Sequence, residues 1–182
     1  MKDSNPNIIN NVYQRYIHHL KDKSDYFIPF LERRMSCERW LQGELIYILQ
    51  KMKNEGDVDN FVPEKPYPIL KRSHCDIWVK IKETEIWLEL EAIVTNYGSP
   101  GKPITDQISH ILKDSEKLKT NTKGGSLKQM FFVYPLAIDG SNDLDWGKHM
   151  KTLKEHIEIL MNPVQIPIDT KDAFVMYLSR PL

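Results

Sequence analysis

Three carboxylates on two short alternating segments are the residues of this chain best placed to do chemistry. Asp76 opens the run Asp76-Ile77-Trp78-Val79-Lys80-Ile81, and Glu89 and Glu91 close the run Ile86-Trp87-Leu88-Glu89-Leu90-Glu91. Both runs alternate apolar with polar residues, the period of a half-buried strand. The intervening Lys82-Glu83-Thr84-Glu85 suits a four-residue hairpin connection. If Ile81 faces Ile86, then Val79 faces Leu88 and Ile77 faces Leu90, and these residues form one apolar face. A one-residue slip would turn that face inside out, which pins the register. The opposite face carries Asp76, Trp78 and Lys80 beside Trp87, Glu89 and Glu91. Asp76 then lies opposite Glu91 and diagonal to Glu89, at carbon-β separations of roughly 5–8 Å.

Like charges that close together repel and raise at least one pKa. A divalent cation removes the penalty, and two or three carboxylates with water and a substrate phosphate are the usual ligand set of Mg²⁺. Such a site supports metal-assisted hydrolysis of a phosphodiester. The alternative is a solvated strand face with ordinary surface carboxylates. Trp78 and Trp87 on the same face, and two glutamates in one short strand where glutamate is depleted, weigh against it.

Helices and strands must hold this hairpin in place. Apolar residues at helical spacing predict a helix over 7–22, through Ile9, Val12, Tyr13, Tyr16, Ile17 and Leu20. Pro29 marks a break. A second helix is expected over 37–53, capped by Ser36, with Leu41, Leu45, Ile48 and Met52 buried, and Gly56 just beyond its end. Pro63, Pro66 and Pro68 make 57–70 an irregular crossing segment. A third helix is expected at 103–119, a buried central strand at 130–134, a fourth helix at 145–161 and a last strand at 172–179. The order α-α-β-β-α-β-α-β predicts one α/β domain, a mixed central sheet flanked by helices.

Composition excludes several classes. The chain has 182 residues, 41% hydrophobic and 27% charged, as ordinary globular domains have, and not a disordered or fibrous chain. Twenty-five basic residues balance 25 acidic ones, so nucleic-acid binding would need a local patch. Two cysteines do not make a disulfide scaffold, and no apolar run is long enough to span a membrane. With no apolar signal core after the N-terminus, a soluble cytoplasmic protein is expected. The six histidines form no metal-ligand pattern, and neither a Gly-rich phosphate loop nor a nucleophile elbow is present.

Asp76, then Glu89 in an apolar hairpin preceded by a glutamate-bearing helix, resembles the PD-(D/E)XK nuclease superfamily, whose signature is an Asp on one strand and Glu-x-Lys on the next. The likeness runs through Pro66-Tyr67-Pro68, His74-Cys75-Asp76-Ile77-Trp78-Val79, Trp87-Leu88-Glu89-Leu90-Glu91, Thr95-Asn96-Tyr97 and Ile111-Leu112-Lys113-Asp114-Ser115-Glu116-Lys117-Leu118. It implies a restriction-endonuclease-like core, α-β-β-β-α-β, over 36–135, once a further short strand is supplied. Residues 1–35 would be an N-terminal helical extension, and 136–182 a C-terminal helix and strand.

The resemblance also implies a divalent-metal-dependent nuclease using Mg²⁺ or Mn²⁺, acting on DNA, in restriction or other defence. Asp76 and Glu89 match the metal-binding acids, and Glu44 matches the helix glutamate, although it could equally be an exposed residue at the edge of the Leu41–Ile48 stripe. Glu91 departs from the pattern, which has Lys there. Three readings stay open: Glu91 is a general base, the lysine role has moved to Lys80, or the site is inactive and the fold is a module binding nucleic acid or a protein. Lys71 and Arg72 before the hairpin, and Lys113 and Lys117 on the third helix, are candidates for phosphate contacts. Asp114 and Glu116 interleave with those lysines as on an ordinary solvated helix face. By analogy with small nucleases a homodimer is expected, with Tyr and Trp of the N-terminal helices as an interface.

Overall fold

The protein is described by a computed structural model over residues 6–33, 35–70, 72–93, 104–122, 124, 126–137 and 143–182. Three helices lead the chain: α1 (Pro6–Asp22), α2 (Ile28–Arg33) after a 3₁₀ turn at Ser24–Phe27, and α3 (Glu38–Glu55). The hairpin follows as β1 (Asn60–Pro66), β2 (His74–Ile81) and β3 (Thr84–Ala92). Next come α4 (Ile104–Asn121), β4 (Leu127–Ala137), α5 (Asp143–Lys154), β5 (Ile157–Ile159), β6 (Val164–Pro167) and β7 (Asp172–Pro181). Among the described residues the strands form one mixed sheet in the order β1-β2-β3-β4-β7-β5, with β6 also on β7. Only β3 and β4 pair in parallel, and α4 makes the crossover that a parallel pair requires.

The two faces of the sheet bury separate cores. On one face Ile77, Val79, Ile81, Ile86, Leu88 and Leu90 pack with Phe131, Val133 and the apolar stripes of α1 and α3. On the other, Trp78, Trp87, Met130, Phe132 and Tyr134 pack with Ile108, Ile111 and Leu118 of α4 and Trp146 and Met150 of α5. The two cysteines are free and buried, Cys37 in the first core and Cys75 in the second. The N-terminal segment expected as an extension is built into the first core. Tyr13 donates to the Met176 carbonyl at 2.9 Å and Tyr16 to the Leu41 carbonyl at 2.7 Å, and both rings contact Phe131. No helix of the described residues is long and apolar enough to cross a membrane.

Four expectations need correction. The segment 57–70 is not irregular: it contains β1, the strand missing from the sequence reading. Pro63 is tolerated there because β1 is an edge strand with a partner on one side only. The hairpin register is shifted by two residues: Ile81 pairs with Thr84 and Ile77 with Leu88, around a two-residue connection, Lys82-Glu83. The left-handed backbone of Lys82 (φ 53) tightens the turn, and the Asp59 carboxylate accepts the Lys82 N–H. A two-residue shift keeps every side chain on its face, so both expected faces survive while the cross-strand partners change. The fourth helix ends at Lys154; residues 157–159 form β5, and β6 was not expected at all. Pro29 does not break the chain but lies in the first turn of α2, where its missing N–H costs nothing.

Phe131 is fully buried between Tyr13 and Tyr16. Phe131→Ala should destabilise the protein by about 3–5 kcal/mol in urea unfolding, with an unchanged slope.

Candidate functional site

The acids meet where β2 and β3 part. Their ladder runs from the turn to the pair Ile77–Leu88 and stops. Beyond it side chains take over the backbone donors: the Asp76 N–H donates to Glu89 Oε2 at 3.3 Å, and the Leu90 N–H donates to Asp76 Oδ2 at 2.7 Å. The same place is irregular on the other side of β2. Glu64 of β1 is left-handed (φ 50) and is skipped in the β1–β2 pairing between Pro63–Ile77 and Lys65–Cys75. Cys75 shares the parity of Ile77 and Val79 yet packs in the opposite core. Gln42 of α3 bridges this gap, donating to Glu64 Oε1 at 3.1 Å and to the Asp76 carbonyl at 3.2 Å.

Four carboxyl groups then fall into two neighbouring pairs, Asp76 beside Glu89 and Glu91 beside Asp114 of α4. Burial is the first cause that raises Asp76, Glu89 and Glu91 above the ordinary carboxylate range. The charge of Asp76 raises Glu89 further, and the bond to Asp114 raises Glu91 further. Asp76 rises less, because the Leu90 N–H and Glu89 stabilise its ionised form. Tyr67, itself fully buried, donates its hydroxyl to Glu89 and stacks on Trp87 at 5.6 Å. Glu38, in the first turn of α3, is pushed up to about 6, by burial and then by the charge of Asp76. A cation at this cluster is Lys117, one turn from Asp114 on α4. It forms an ion pair with Asp114, and the charges of Glu89 and Glu91 also stabilise its ammonium.

The expected trio Asp76, Glu89 and Glu91 is therefore gathered on one face, with Asp76 against Glu89 rather than against Glu91. Glu44 is not with them. It projects from the opposite side of α3, bonded to His19 Nε2 at 2.5 Å and to Lys23 Nζ at 2.7 Å, and those partners outweigh burial and hold its pKa low. Glu38 is the α3 glutamate that faces the acids. Lys80 shares the face but pairs with Glu85 near the turn, four residues and so about 13 Å along β2 from Asp76. The tryptophans cover the floor between them: Lys65 Nζ lies 3.1 Å from the Trp78 ring centroid and 5.3 Å from that of Trp87.

Of the expected phosphate contacts, Arg72 and Lys113 are exposed, Lys117 is occupied as above, and Lys71 lies outside the described residues, as does Thr95-Asn96-Tyr97. The sequence reading missed Asp114, Tyr67 and Glu38. Asp114 had a signal: it falls on the stripe Ile111–Ser115–Leu118 that α4 buries, and it is 9% exposed where a solvated face was expected. Comparison with protein-family models, with curated proteins and with solved structures finds no match for this chain. Among the described residues no group of three or more His, Cys, Asp or Glu side chains is arranged to hold a metal ion.

Carboxyls raised in the folded state hold protons that the unfolded chain releases. That stability is complete below the ordinary Glu value of 4.5 and is lost as pH rises toward about 9 for Glu89. Urea unfolding at a series of pH values should therefore show stability declining across this window. Glu91→Gln, which keeps a donor toward Asp114, should make the decline shallower.

Proposed function

We propose that this chain is a divalent-metal-dependent nuclease with a restriction-endonuclease-like core, hydrolysing phosphodiester bonds of DNA at the end of the β2–β3 hairpin. One observation carries the reading: carboxyls from β2, β3 and α4 lie buried side by side, Asp76 against Glu89 and Glu91 against Asp114, with Lys117 paired to Asp114. Burying that many acids costs several kcal/mol unless something compensates. The element order α3-β1-β2-β3-α4-β4, with β3 parallel to β4, supports the core assignment.

The donor chemistry suits a hard cation, since every candidate ligand is a carboxyl oxygen. Asp76, Glu89 and Glu91, once drawn out of their present pairs, would hold it, and when bound it would polarise the phosphate and lower the pKa of a water. Loss of its own proton frees Glu91 to take a proton from the attacking water, as a general base. As the water oxygen bonds to phosphorus, the bond to the leaving oxygen breaks and that oxygen takes a proton from solvent, while Glu91 keeps the proton of the attacking water. Lys117, already aligned by Asp114, supplies the positive charge that the motif lysine would otherwise give, stabilising the phosphoryl oxygens. Tyr67 keeps Glu89 oriented.

A second reading, an inactive nuclease-fold module that binds nucleic acid, is favoured by the closed state of the acids: each already has a partner within the fold.

Purified protein with plasmid DNA and Mg²⁺ or Mn²⁺ decides between them. Cleavage should be abolished by Asp76→Ala and Glu89→Ala, lowered about 10²–10³-fold by Lys117→Ala, and unchanged by Lys80→Ala. Calorimetry should show Mn²⁺ binding that Glu89→Ala removes. DNA binding without cleavage or metal uptake, unaffected by Asp76→Ala, would establish the second reading.

A further inference from the structure

The surface between α1, α2 and α3, on the core layer opposite the acids, alternates aromatic rings with cations. Tyr26 is 61% exposed and Tyr47 51% exposed. Neither ring is loose. Tyr26 stacks on Trp40 (6.3 Å, 4° between planes), which is itself wedged against Phe27 and Phe30. Tyr47 stacks on His19 (5.2 Å, 30°). Lys23 lies between the tyrosines, its Nζ 5.8 Å from one ring centroid and 5.9 Å from the other, and Lys51 Nζ lies 5.8 Å from Tyr47 on the far side. Trp40, Tyr47 and Lys51 fall on one stripe of α3, because seven residues are close to two helical turns and eleven close to three. Glu44, on the same stripe, is paired with Lys23 and bonded to His19, so Lys23 balances its charge and Lys51 is the cation left to meet a phosphate.

We infer that this face binds single-stranded nucleic acid. Rigid, half-exposed rings beside a free lysine match a polymer whose own repeat alternates flat bases with phosphates. The rise of α3 separates Trp40 from Tyr47 by about 10 Å, the length of about three stacked bases. A duplex hides its base faces from such a surface, and the lysines that interrupt the apolar area oppose burial against a second protein. The surface shares no residue with the acid cluster, so the inference stands whether or not the chain cleaves DNA.

Fluorescence anisotropy of the full chain with labelled oligo-dT and oligo-U, and with a duplex of equal length, tests it. Both single strands should bind more tightly than the duplex, and their binding should weaken with salt. Combined Tyr26→Ala and Tyr47→Ala should cost at least about tenfold in affinity, whereas Tyr47→Phe, which keeps the ring, should cost nothing. Lys51→Glu, a surface change that removes no packing, should also weaken binding, and it tests the face even if the double variant fails to fold. Absence of single-strand binding, or binding indifferent to Lys51→Glu and to both tyrosines, overturns the inference. So does light scattering in which Tyr47→Ala splits a dimer, since the face would then be covered by a second copy.

Discussion

Backbone amides of the β2–β3 hairpin that lose their ladder partners must be satisfied by something, and acids satisfy them. From that requirement the rest of the centre follows. Asp76 takes the Leu90 N–H, Glu89 takes the Asp76 N–H, and neither carboxyl can turn away without orphaning a buried donor. The acids are thus part of the strand connection, not ornaments on it. This also explains why their burial is tolerated: the hydrogen bonds they accept replace those the ladder drops.

Covering layers turn a strand irregularity into an electrostatic centre. The α4 helix contributes Asp114 and Lys117 one turn apart, and the β1 side contributes Tyr67. Burial and mutual repulsion raise Asp76, Glu89 and Glu91 together, so the centre favours protonated carboxyls. Such a centre answers to anything that competes with its protons. Alkaline pH weakens it, and a multivalent cation would replace them.

How far the chain could be read from its residues depended on the range of the deciding interaction. The two faces of the hairpin were legible because alternation is local, and Trp78 and Trp87 correctly marked the acid face as covered. The register was not, because a period of two residues cannot distinguish shifts of two; the left-handed Lys82 and its bond to Asp59 decide it. β1 was hidden by its prolines, which only an edge position tolerates. Glu44 and Glu38 both flank the stripe of α3, and which one faces the sheet depends on α1 docking through His19 and Lys23, a contact some twenty residues distant in sequence. Ile157-Glu158-Ile159 fits helix or strand equally, and pairing with β7 settles it. Asp114 was legible in principle, as an acid on an apolar stripe, but its neighbours Lys113 and Glu116 made the helix look evenly solvated.

The distribution of the two thiols gives the molecule a natural pair of reporters. Cys37 lies in the core beneath α3 and Cys75 in the core beneath α4, and burial pushes each up to about 12. Neither thiol reacts until its own layer breathes, because the thiolate is the reactive form. Alkylation kinetics at the two positions thus read the opening of the two halves of the sandwich separately. Cys75, as the immediate neighbour of Asp76, times the moment at which the strand carrying the first acid comes loose.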